Sequence, residues 1–371
     1  MIVETRPTVA QVVRRPEEVR CPGPRVDDVR RLLVTRDDRL GDVVLTLPAV
    51  RALRRTYPRA WIGLMVRPPV ADLARIAPDV DEVLIDPGTR AGLALALTAF
   101  RPDATVMVGR GFRTAWVAFR LGLPNRVGTG YRWFSGLFHR RVEEHRRRAG
   151  RHEVEYALSF AHRLGAAPGP VEFPLQVPPE IDAACGHWLD LHGVESPFVV
   201  LHPGSGGSCP SWSVGHHVQL AAVLAGQGTN VVFSVGPDDA MVHGLLDREP
   251  SGIRRLPRFS GSVPGLAAVL GRASVVAASS TGPVHLAAAL GVPTLAFHVP
   301  WRSCGVERWG PYADNGWALV ADAPGAGRWG RRRRERLGPR LLDALSPGLA
   351  ARCVERLLEG QAPEIAADAD R

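Results

Sequence analysis

Short apolar runs alternate with helical patterns in two separate stretches of this chain. The first stretch begins near Arg31 with RRLLVT and continues through AWIGLMV, VDEVLID and ATVMVG. The second begins with PFVVLHPGS and continues through NVVFSVG, ASVVAAS and VPTLAFH. Strands that alternate with helices form parallel βαβ units, and nearly continuous apolar strands are typical of sheets covered on both faces. The sequence therefore predicts an α/β protein with two Rossmann-like parallel-sheet domains.

The segment GAAPGPVEFPLQVPPE lies between the two stretches and has the proline density of a semi-rigid linker. We expect a loose leader over 1–28, a first domain over 29–170, a second over 171–345, and a C-terminal helix with a tail over 346–371. The last helical pattern, Pro347 to Leu358, is expected to pack back on the first domain. Ligands of such folds bind beyond the carboxyl ends of the strands, so we expect the two domains to face a central cleft.

Composition narrows the class of protein. The chain has 371 residues and a formal charge of +9, and all of its basic residues apart from histidine are arginines. This charge favours anionic partners, although codon bias also produces arginine-rich chains. No apolar run is long enough to span a bilayer, and the start has no signal-peptide pattern, so we expect a cytoplasmic protein. The five cysteines are widely spaced and are expected to be free thiols, with no metal site.

Two basic segments are less informative. YRWFSGLFHRR carries aromatic side chains among its arginines, and core packing is the favoured role of Tyr131, Trp133 and Phe134, since stacking on nucleic-acid bases needs more such residues. The run Arg331 to Arg334 is expected to be solvated surface. Neither segment predicts a nucleic-acid partner.

The stretch RDDRLGDVVLTLP follows the first apolar strand and precedes a helical pattern. Gly41 permits a tight turn there, and Asp42 stands where the next helix begins. An aspartate at this position caps a helix N-terminus or, held ionised by the helix dipole, acts as a general base. The residues themselves leave these two roles open.

The charged neighbours of Asp42 also have two interpretations. Arg36 and Arg39 could hold an anionic group of a substrate or pair with the nearby acids. Asp37 and Asp38 are expected to be solvated or to form turn hydrogen bonds.

Two polar loops follow strands of the second stretch. In LHPGSGGSCPSW the glycines let backbone N–H groups approach a diphosphate, although His202 alone is more often a strand-end histidine. In ASSTGPVHLAAALG, hydroxyls and amides precede a helix that starts with a proline. Either loop by itself could be a plain helix cap. Two such loops in one domain favour a nucleotide diphosphate.

Taken together, these blocks resemble glycosyltransferase family 9, the bacterial ADP-heptose:lipopolysaccharide heptosyltransferases. The family pattern R-x-D-x-x-G-D-V-x-x-x-x-P matches Arg36 to Pro48, and H-P-G-[SA] with a following Trp matches His202 to Ser205 and Trp212. The pattern [DS]-[ST]-G-P-x-H-x-A-A-A-L-G-x-P matches Ser280 to Pro293, and R-W-G-P-Y matches Arg308 to Tyr312. The four blocks occur in this order and are spread along most of the chain, from Arg36 to Tyr312.

The resemblance implies a GT-B fold and inverting, metal-independent transfer without a cofactor. It places an acceptor site in the first domain and a nucleotide-sugar site in the second, with Asp42 as catalytic base. Arg36, Arg39 and Gly41 become candidates for contacts with the acceptor or its phosphates. The implied donor site comprises His202, Gly204, Ser205, Gly206, Gly207, Ser208, Ser280, Thr281, Gly282 and His285.

This sequence departs from the family pattern in two places. The family usually has Lys or Arg just before the Trp of the second block, where Cys209, Pro210 and Ser211 stand here, and often has Asp in place of Ser280. Both changes affect the assignment of ADP-heptose as the donor more than they affect the assignment of the chain as a glycosyltransferase.

The resulting hypothesis is a glycosyltransferase that moves a sugar to a lipopolysaccharide-like acceptor, and the resemblance implies heptose from ADP-heptose as that sugar. Contact with the anionic inner face of the membrane would follow from the arginines. The alternatives are a different donor sugar, a sugar-nucleotide epimerase of the same architecture, and a nucleotide or nucleic-acid binder without catalysis.

Overall fold

The computed structural model describes residues 6–12, 21–109, 111–145, 150–207, 209–236, 239–249, 251–326 and 329–365. The chain forms two compact units, one from Arg15–Gln176 and one from Met1–Arg14 together with Val177–Arg371. The division after Gln176 falls inside the proline-rich linker, six residues beyond the predicted boundary. We call these the N-terminal and C-terminal units.

The described strands are β1 (Arg6–Gln11), β2 (Arg31–Arg36), β3 (Trp61–Val66), β4 (Glu82–Ile85), β5 (Ala104–Met107), β6 (Arg126–Thr129), β7 (Arg140–Val142), β8 (Phe198–His202), β9 (Asn230–Ser234), β10 (Arg258–Phe259), β11 (Val275–Ser279), β12 (Thr294–His298) and β13 (Gly316–Asp322).

The described α-helices are α1 (Leu40–Val44), α2 (Leu47–Thr56), α3 (Ala71–Arg75), α4 (Arg90–Phe100), α5 (Phe112–Arg120), α6 (Glu153–Arg163), α7 (Pro179–Leu191), α8 (Val214–Gly226), α9 (Ala240–Asp247), α10 (Ser251–Arg254), α11 (Val263–Arg272), α12 (Gly282–Ala289), α13 (Val306–Trp309), α14 (Arg331–Leu342) and α15 (Pro347–Leu358). Short 3₁₀ turns occur at Pro68–Val70 and Ser135–Leu137.

The N-terminal unit contains a parallel sheet whose described strands run in the order β4-β3-β2-β5-β6-β7. From β2 the chain builds outward to β3 and β4, then returns to add β5 on the other side. The strand order therefore reverses between β2 and β5, which is where open α/β sheets bind ligands. Leu33, Met65 and Phe100 are buried in the core on one face of this sheet.

The C-terminal unit contains a sheet with the described order β1-β13-β12-β11-β8-β9-β10. Its strands from β8 to β13 are parallel to one another, and the order reverses between β8 and β11. Both units are thus Rossmann-like, as predicted. Each has its own reversal point at the carboxyl ends of two neighbouring strands.

The prediction of a loose leader over 1–28 is wrong for residues 6–11. This segment forms β1, which pairs antiparallel with β13 at the edge of the C-terminal sheet, from Arg6 opposite Asp322 to Gln11 opposite Trp317. The backbone N–H and C=O groups of β13 would otherwise be exposed at that edge, and pairing with β1 satisfies them. A six-residue edge strand has too little apolar periodicity to be recognised in a proline- and arginine-rich sequence.

The expectation that the C-terminal helix packs on the first domain is also corrected. Helix α15 packs on α8 of its own unit, and Leu349, Val354 and Leu357 belong to the same core cluster as Val199 of β8. An amphipathic helix shows from its sequence that it has a buried face, but not which partner covers that face.

Cysteine pairing differs from the prediction as well. Cys209 and Cys304 form a disulfide with Cα atoms 5.9 Å apart, although 95 positions separate them in sequence. Cys21, Cys185 and Cys353 are free and buried, as expected. The pairing could not be read from spacing, because it depends on the loops after β8 and β12 meeting in space.

The aromatic residues of the YRWFSGLFHRR segment divide between core and surface. Phe134 is buried, which agrees with the predicted packing role, but Tyr131 and Trp133 are 52% and 81% exposed. Core packing is therefore the wrong interpretation of those two side chains. Within the part of the chain that the structure describes, no helix is both long enough and apolar enough to cross a bilayer.

Candidate active site

The first candidate loop follows β2 at the reversal point of the N-terminal sheet. Asp37 leaves the strand end and places its carboxylate against Gly109 and Gly111, which follow the neighbouring strand β5. A Cβ atom at either glycine would overlap the Asp37 carboxylate, so both positions need glycine in this arrangement. Asp37 is therefore a packing element of the loop rather than simply a solvated acid.

Asp42 lies in the first turn of α1, and the residue at the N-cap is Arg39. The interpretation of Asp42 as the N-cap is therefore wrong, since its carboxylate bonds to a side chain instead of to orphan amides of the helix. Gly41 is buried within the same helix, so the tight turn expected there is absent from this described segment. The Asp42 side chain is 20% exposed, which leaves part of the carboxylate accessible.

Arg36 fixes the carboxylate of Asp42. Its Nη2 atom donates to Asp42 Oδ1 and lies 3.3 Å from Glu153 Oε1, and its Nε atom lies 2.9 Å from Asp38 Oδ2. Burial opposes the positive charge of Arg36, yet Glu153, Asp42 and Asp38 together raise the pKa of the guanidinium above its usual value. Of the two predicted roles for Arg36, the structure supports pairing with acids, because the side chain is only 2% exposed. Arg39 is exposed.

Glu153 is a site residue that sequence reasoning missed. It is the first residue of α6, and its side chain is 1% exposed. His152 caps that helix by accepting from Val154 N at 3.2 Å. The signal in the sequence was the pair of acids in HEVEY at a helix start, but 117 positions separate Glu153 from Arg36. Only the packing of α6 near the end of β2 brings the two together.

The second candidate loop follows β8 at the reversal point of the C-terminal sheet. His202 ends the strand, and its Nδ1 lies 3.0 Å from Ser234 Oγ on the neighbouring β9. Burial lowers the pKa of His202 to about 4, so the ring is neutral at physiological pH. This matches the expectation of a strand-end histidine with a local hydrogen bond.

Asp239, at the start of α9, is a second residue that the sequence did not single out. A Cβ at Gly204 would lie 2.5 Å from Asp239 Oδ2 and 3.1 Å from His202 Nε2, so the Asp239 carboxylate closely approaches the loop backbone. Gly236 also lies against Asp239, at 3.0 Å by the same measure. Position 204 therefore needs glycine because a side chain there would overlap Asp239 and crowd His202.

Beyond Gly204 the loop turns toward solvent. Ser205, Gly206 and Gly207 are exposed, and Gly207 has a φ of +72°, which only glycine adopts readily. The amide of Gly207 lies 3.4 Å from Ser205 Oγ. Ser208, a predicted donor contact, lies outside the described residues.

The third candidate loop follows β11, directly beside β8 in the sheet. Ala278 pairs with His202, so Ser280, Thr281 and Gly282 emerge next to the β8 loop. Thr281 is the N-cap residue of α12, yet its side chain forms no cap hydrogen bond with the described residues. His285 is buried in the first turns of α12. The structure thus brings the described residues of both predicted donor loops to one reversal point of the sheet.

Trp212, in the loop after β8, contacts the end of β11, where the third loop begins. Its backbone N donates to Ser279 Oγ at 2.8 Å, and its indole Nε1 donates to Leu345 O at 3.1 Å. The side chain is buried against Phe297, with ring centroids 4.2 Å apart. Ser213, next to it, caps α8 by accepting from His216 N at 3.2 Å, a type of contact that stabilises a helix by about 1 kcal/mol.

The described residues contain no assembled metal site. Among those residues, no three side chains of His, Cys, Asp or Glu converge in a way that could hold an ion.

Two Rossmann-like units, each with polar loops at its sheet's reversal point, are typical of enzymes of the GT-B class. The family model for glycosyltransferase family 9 (heptosyltransferase) matches residues 91–329. The chain therefore belongs to glycosyltransferase family 9.

Individual relatives agree with this assignment. A putative glycosyltransferase of Haemophilus influenzae is 27% identical over 303 residues, covering 77% of this chain and 87% of the relative. Lipopolysaccharide heptosyltransferase 2 of Escherichia coli is 25% identical over 290 residues, covering 73% and 83%. The solved structure of the E. coli ADP-heptose lipopolysaccharide heptosyltransferase II has the same fold, with a TM-score of 0.73, 21% identity and coverage of 89% and 99%.

Proposed function

We propose that this enzyme is an inverting, metal-independent heptosyltransferase that moves heptose from ADP-heptose to a lipopolysaccharide-like acceptor at the cytoplasmic face of the membrane. The observation that carries the catalytic part is the carboxylate of Asp42, which is partly exposed at the carboxyl edge of a parallel sheet and is held by a buried arginine. No cofactor enters the proposal, since the nucleotide sugar is a co-substrate.

Asp42 serves as the general base. Its carboxylate accepts the proton of an acceptor hydroxyl while the hydroxyl oxygen attacks the anomeric carbon of the donor. The bond from that carbon to the diphosphate oxygen breaks with its electron pair, and the nucleotide diphosphate leaves. Attack opposite the leaving group inverts the configuration of the anomeric carbon.

Arg36 positions the base by bonding to Asp42 Oδ1 from the buried side. Because Arg36 also contacts Glu153 and Asp38, its guanidinium is held from several directions and cannot turn with Asp42. A fixed carboxylate loses less orientational freedom on reaching the transition state. Arg36 is thus a positioning residue for Asp42 and does not contact the acceptor phosphates.

The donor diphosphate binds the loops after β8 and β11. Exposed backbone at Ser205 to Gly207 and the start of α12 at Thr281 and Gly282 offer N–H groups to phosphate oxygens. Neutral His202 lies at the start of the first loop, and the half-buried carboxylate of Asp239 lies against Gly204 of that loop. The heptose and the lipopolysaccharide acceptor are supported by the name of the E. coli relative.

The proposal is tested by incubating the protein with ADP-heptose and with other ADP-, GDP-, UDP- and TDP-sugars and a lipopolysaccharide-core acceptor, and measuring release of nucleotide diphosphate. Asp42→Asn is expected to lower kcat by at least about 100-fold while leaving donor affinity unchanged. Asp38→Asn is the matched control, because Asp38 contacts the same arginine through Nε. Full activity of Asp42→Asn would refute the base assignment. NMR of the product anomer and a rate unchanged by EDTA test inversion and metal independence.

A further inference from the structure

One segment of the N-terminal unit contains arginines but no acidic residues. The 39 residues 104–142 contain seven arginines and no aspartate or glutamate, and one of these arginines, at position 110, lies outside the described residues. A soluble surface normally mixes both charge signs. Arg113 pairs with Asp86 from outside the segment and Arg126 is buried, so the positive charge at the surface comes from exposed arginines such as Arg120, Arg132 and Arg141.

The same segment carries a chain of aromatic side chains that contact one another. Phe112, Trp116 and Phe119 follow one another along α5 at intervals of four and three residues, and Trp133 from the loop after β6 joins them. The ring centroids lie 4.6 Å apart for Phe112 and Trp133, 5.9 Å for Phe112 and Trp116, and 6.1 Å for Trp116 and Phe119. They form one continuous apolar strip.

The two ends of this strip are exposed, whereas Phe112 and Trp116 between them are half-buried and Phe112 packs against the core cluster of the unit. Trp133 is 81% and Phe119 43% exposed, although aromatic side chains usually bury most of their area. Arg120 lies over the Trp116 ring at 5.9 Å, and Arg132 is exposed beside Trp133. Neither arginine has an ion-pair partner within the described chain. We name Phe112, Trp116, Phe119, Arg120, Arg132 and Trp133 the aromatic-arginine face.

We propose that the aromatic-arginine face docks the enzyme on an anionic phospholipid bilayer. Tryptophan is enriched at membrane interfaces because its ring is apolar and its N–H can remain hydrated, and arginine pairs with headgroup phosphates. Trp133 and Phe119 enter the headgroup boundary while Arg120 and Arg132 contact lipid phosphates. A single-stranded nucleic acid is the competing occupant, and the strip fits a bilayer better because its rings pack on one another in one continuous surface instead of standing apart to receive separate bases.

This inference deepens the proposed function and rests on it in one respect, namely that a lipid-anchored acceptor gives docking a purpose. Docking itself requires no donor and no acceptor. A vesicle-binding assay without substrates therefore fails or succeeds independently of the turnover assay.

The test is co-sedimentation of the full chain with vesicles of phosphatidylcholine alone or with about a third of phosphatidylglycerol. We expect wild-type protein to bind the anionic vesicles and to be released by salt. Trp133→Ala should weaken binding roughly tenfold, and the double variant Arg120→Gln/Arg132→Gln about thirtyfold.

Two controls separate this face from general effects. Trp61→Ala removes another exposed tryptophan of the same unit, and Arg331→Gln/Arg332→Gln removes two exposed charges elsewhere. Both should bind vesicles like wild type, and circular dichroism should be unchanged in all variants. Equal binding to neutral vesicles, or equal weakening by the controls, would overturn the proposal. So would a single-stranded oligonucleotide that binds more tightly than vesicles and depends on Trp133.

Discussion

Glu153 Oε1 lies 3.3 Å from Nη2 of Arg36, although 117 positions separate the two residues. Both side chains are almost fully buried, at 1% and 2% exposure, and the same Nη2 also donates to Asp42. A buried carboxylate and a buried guanidinium each depend on the other for charge compensation. The base candidate is therefore connected to the interior of its unit through one arginine.

Replacing Arg36 by Met should destabilise the protein and inactivate it. The substitution removes the guanidinium that contacts the buried Glu153 carboxylate, which costs about 3 kcal/mol of unfolding free energy. The double variant Arg36→Met/Glu153→Gln also removes the negative charge of position 153, so it should recover part of the stability. It should recover none of the activity, because Asp42 still lacks its contact with Arg36. Urea unfolding and nucleotide diphosphate release measure the two effects. A double variant that also recovers turnover would contradict the positioning role.

Gly204→Ala should weaken binding of the nucleotide diphosphate by roughly tenfold or more. The new Cβ would meet the Asp239 carboxylate and move the loop away from the position that favours phosphate contacts. Isothermal titration with ADP measures the affinity. Gly215→Ala is the control, because its Cβ would meet only Ser213 Oγ at 4.0 Å, an ordinary contact, and alanine favours a helix by up to about 1 kcal/mol. Unchanged ADP affinity in Gly204→Ala would show that the loop tolerates the displacement.

Acidification should destabilise the C-terminal unit between about pH 6.5 and pH 4. Burial lowers the pKa of His202, His217 and His298 to about 4 in the folded protein, so below pH 6.5 the unfolded chain binds more protons. Unfolding free energy therefore rises with pH across this window and is lost as pH falls. Thermal unfolding over a pH series should follow that slope.

His217 provides a specific test of this dependence. Its Nδ1 lies 2.9 Å from Ser213 O, while its Nε2 is buried without a hydrogen-bond partner among the described residues, so a proton there is unfavourable. His217→Asn keeps a donor for Ser213 and should flatten the pH slope by roughly a third while lowering stability overall. His187→Asn, at an exposed position, should leave the slope unchanged. An equal slope in wild type and His217→Asn would contradict the assignment.

Unreduced, denatured protein should react with iodoacetamide at three cysteines, and reduced protein at five. Cys209→Ser/Cys304→Ser should lose up to about 4 kcal/mol of stability, because the disulfide closes a long loop in the unfolded chain. Cys185→Ser serves as the control, since Cys185 is free. Mass spectrometry counts the labelled thiols. Five reactive thiols before reduction would rule out the pair in the protein as prepared.

Much of the fold follows from local sequence. Apolar runs such as those of β2 and β8 are buried on both faces, and their alternation with helices requires parallel sheets. The glycines and hydroxyls after β8 and β11 mark the loops, and parallel strands bring such loops to one edge. The sequence alone therefore determined two Rossmann-like units, the family and the placement of Gly204 and Thr281 at one site.

Tertiary structure decided the relationships between distant segments. The pairing of β1 with β13, the disulfide from Cys209 to Cys304, the contact of Glu153 with Arg36, and the approach of Asp239 to Gly204 join residues that are far apart along the chain. Local sequence preferences do not predict such contacts, because the free energy of these contacts depends on packing that only the complete fold provides. The same reason explains Asp42, whose residue type fits a cap or a base equally well and whose partner, Arg36, became evident only in three dimensions.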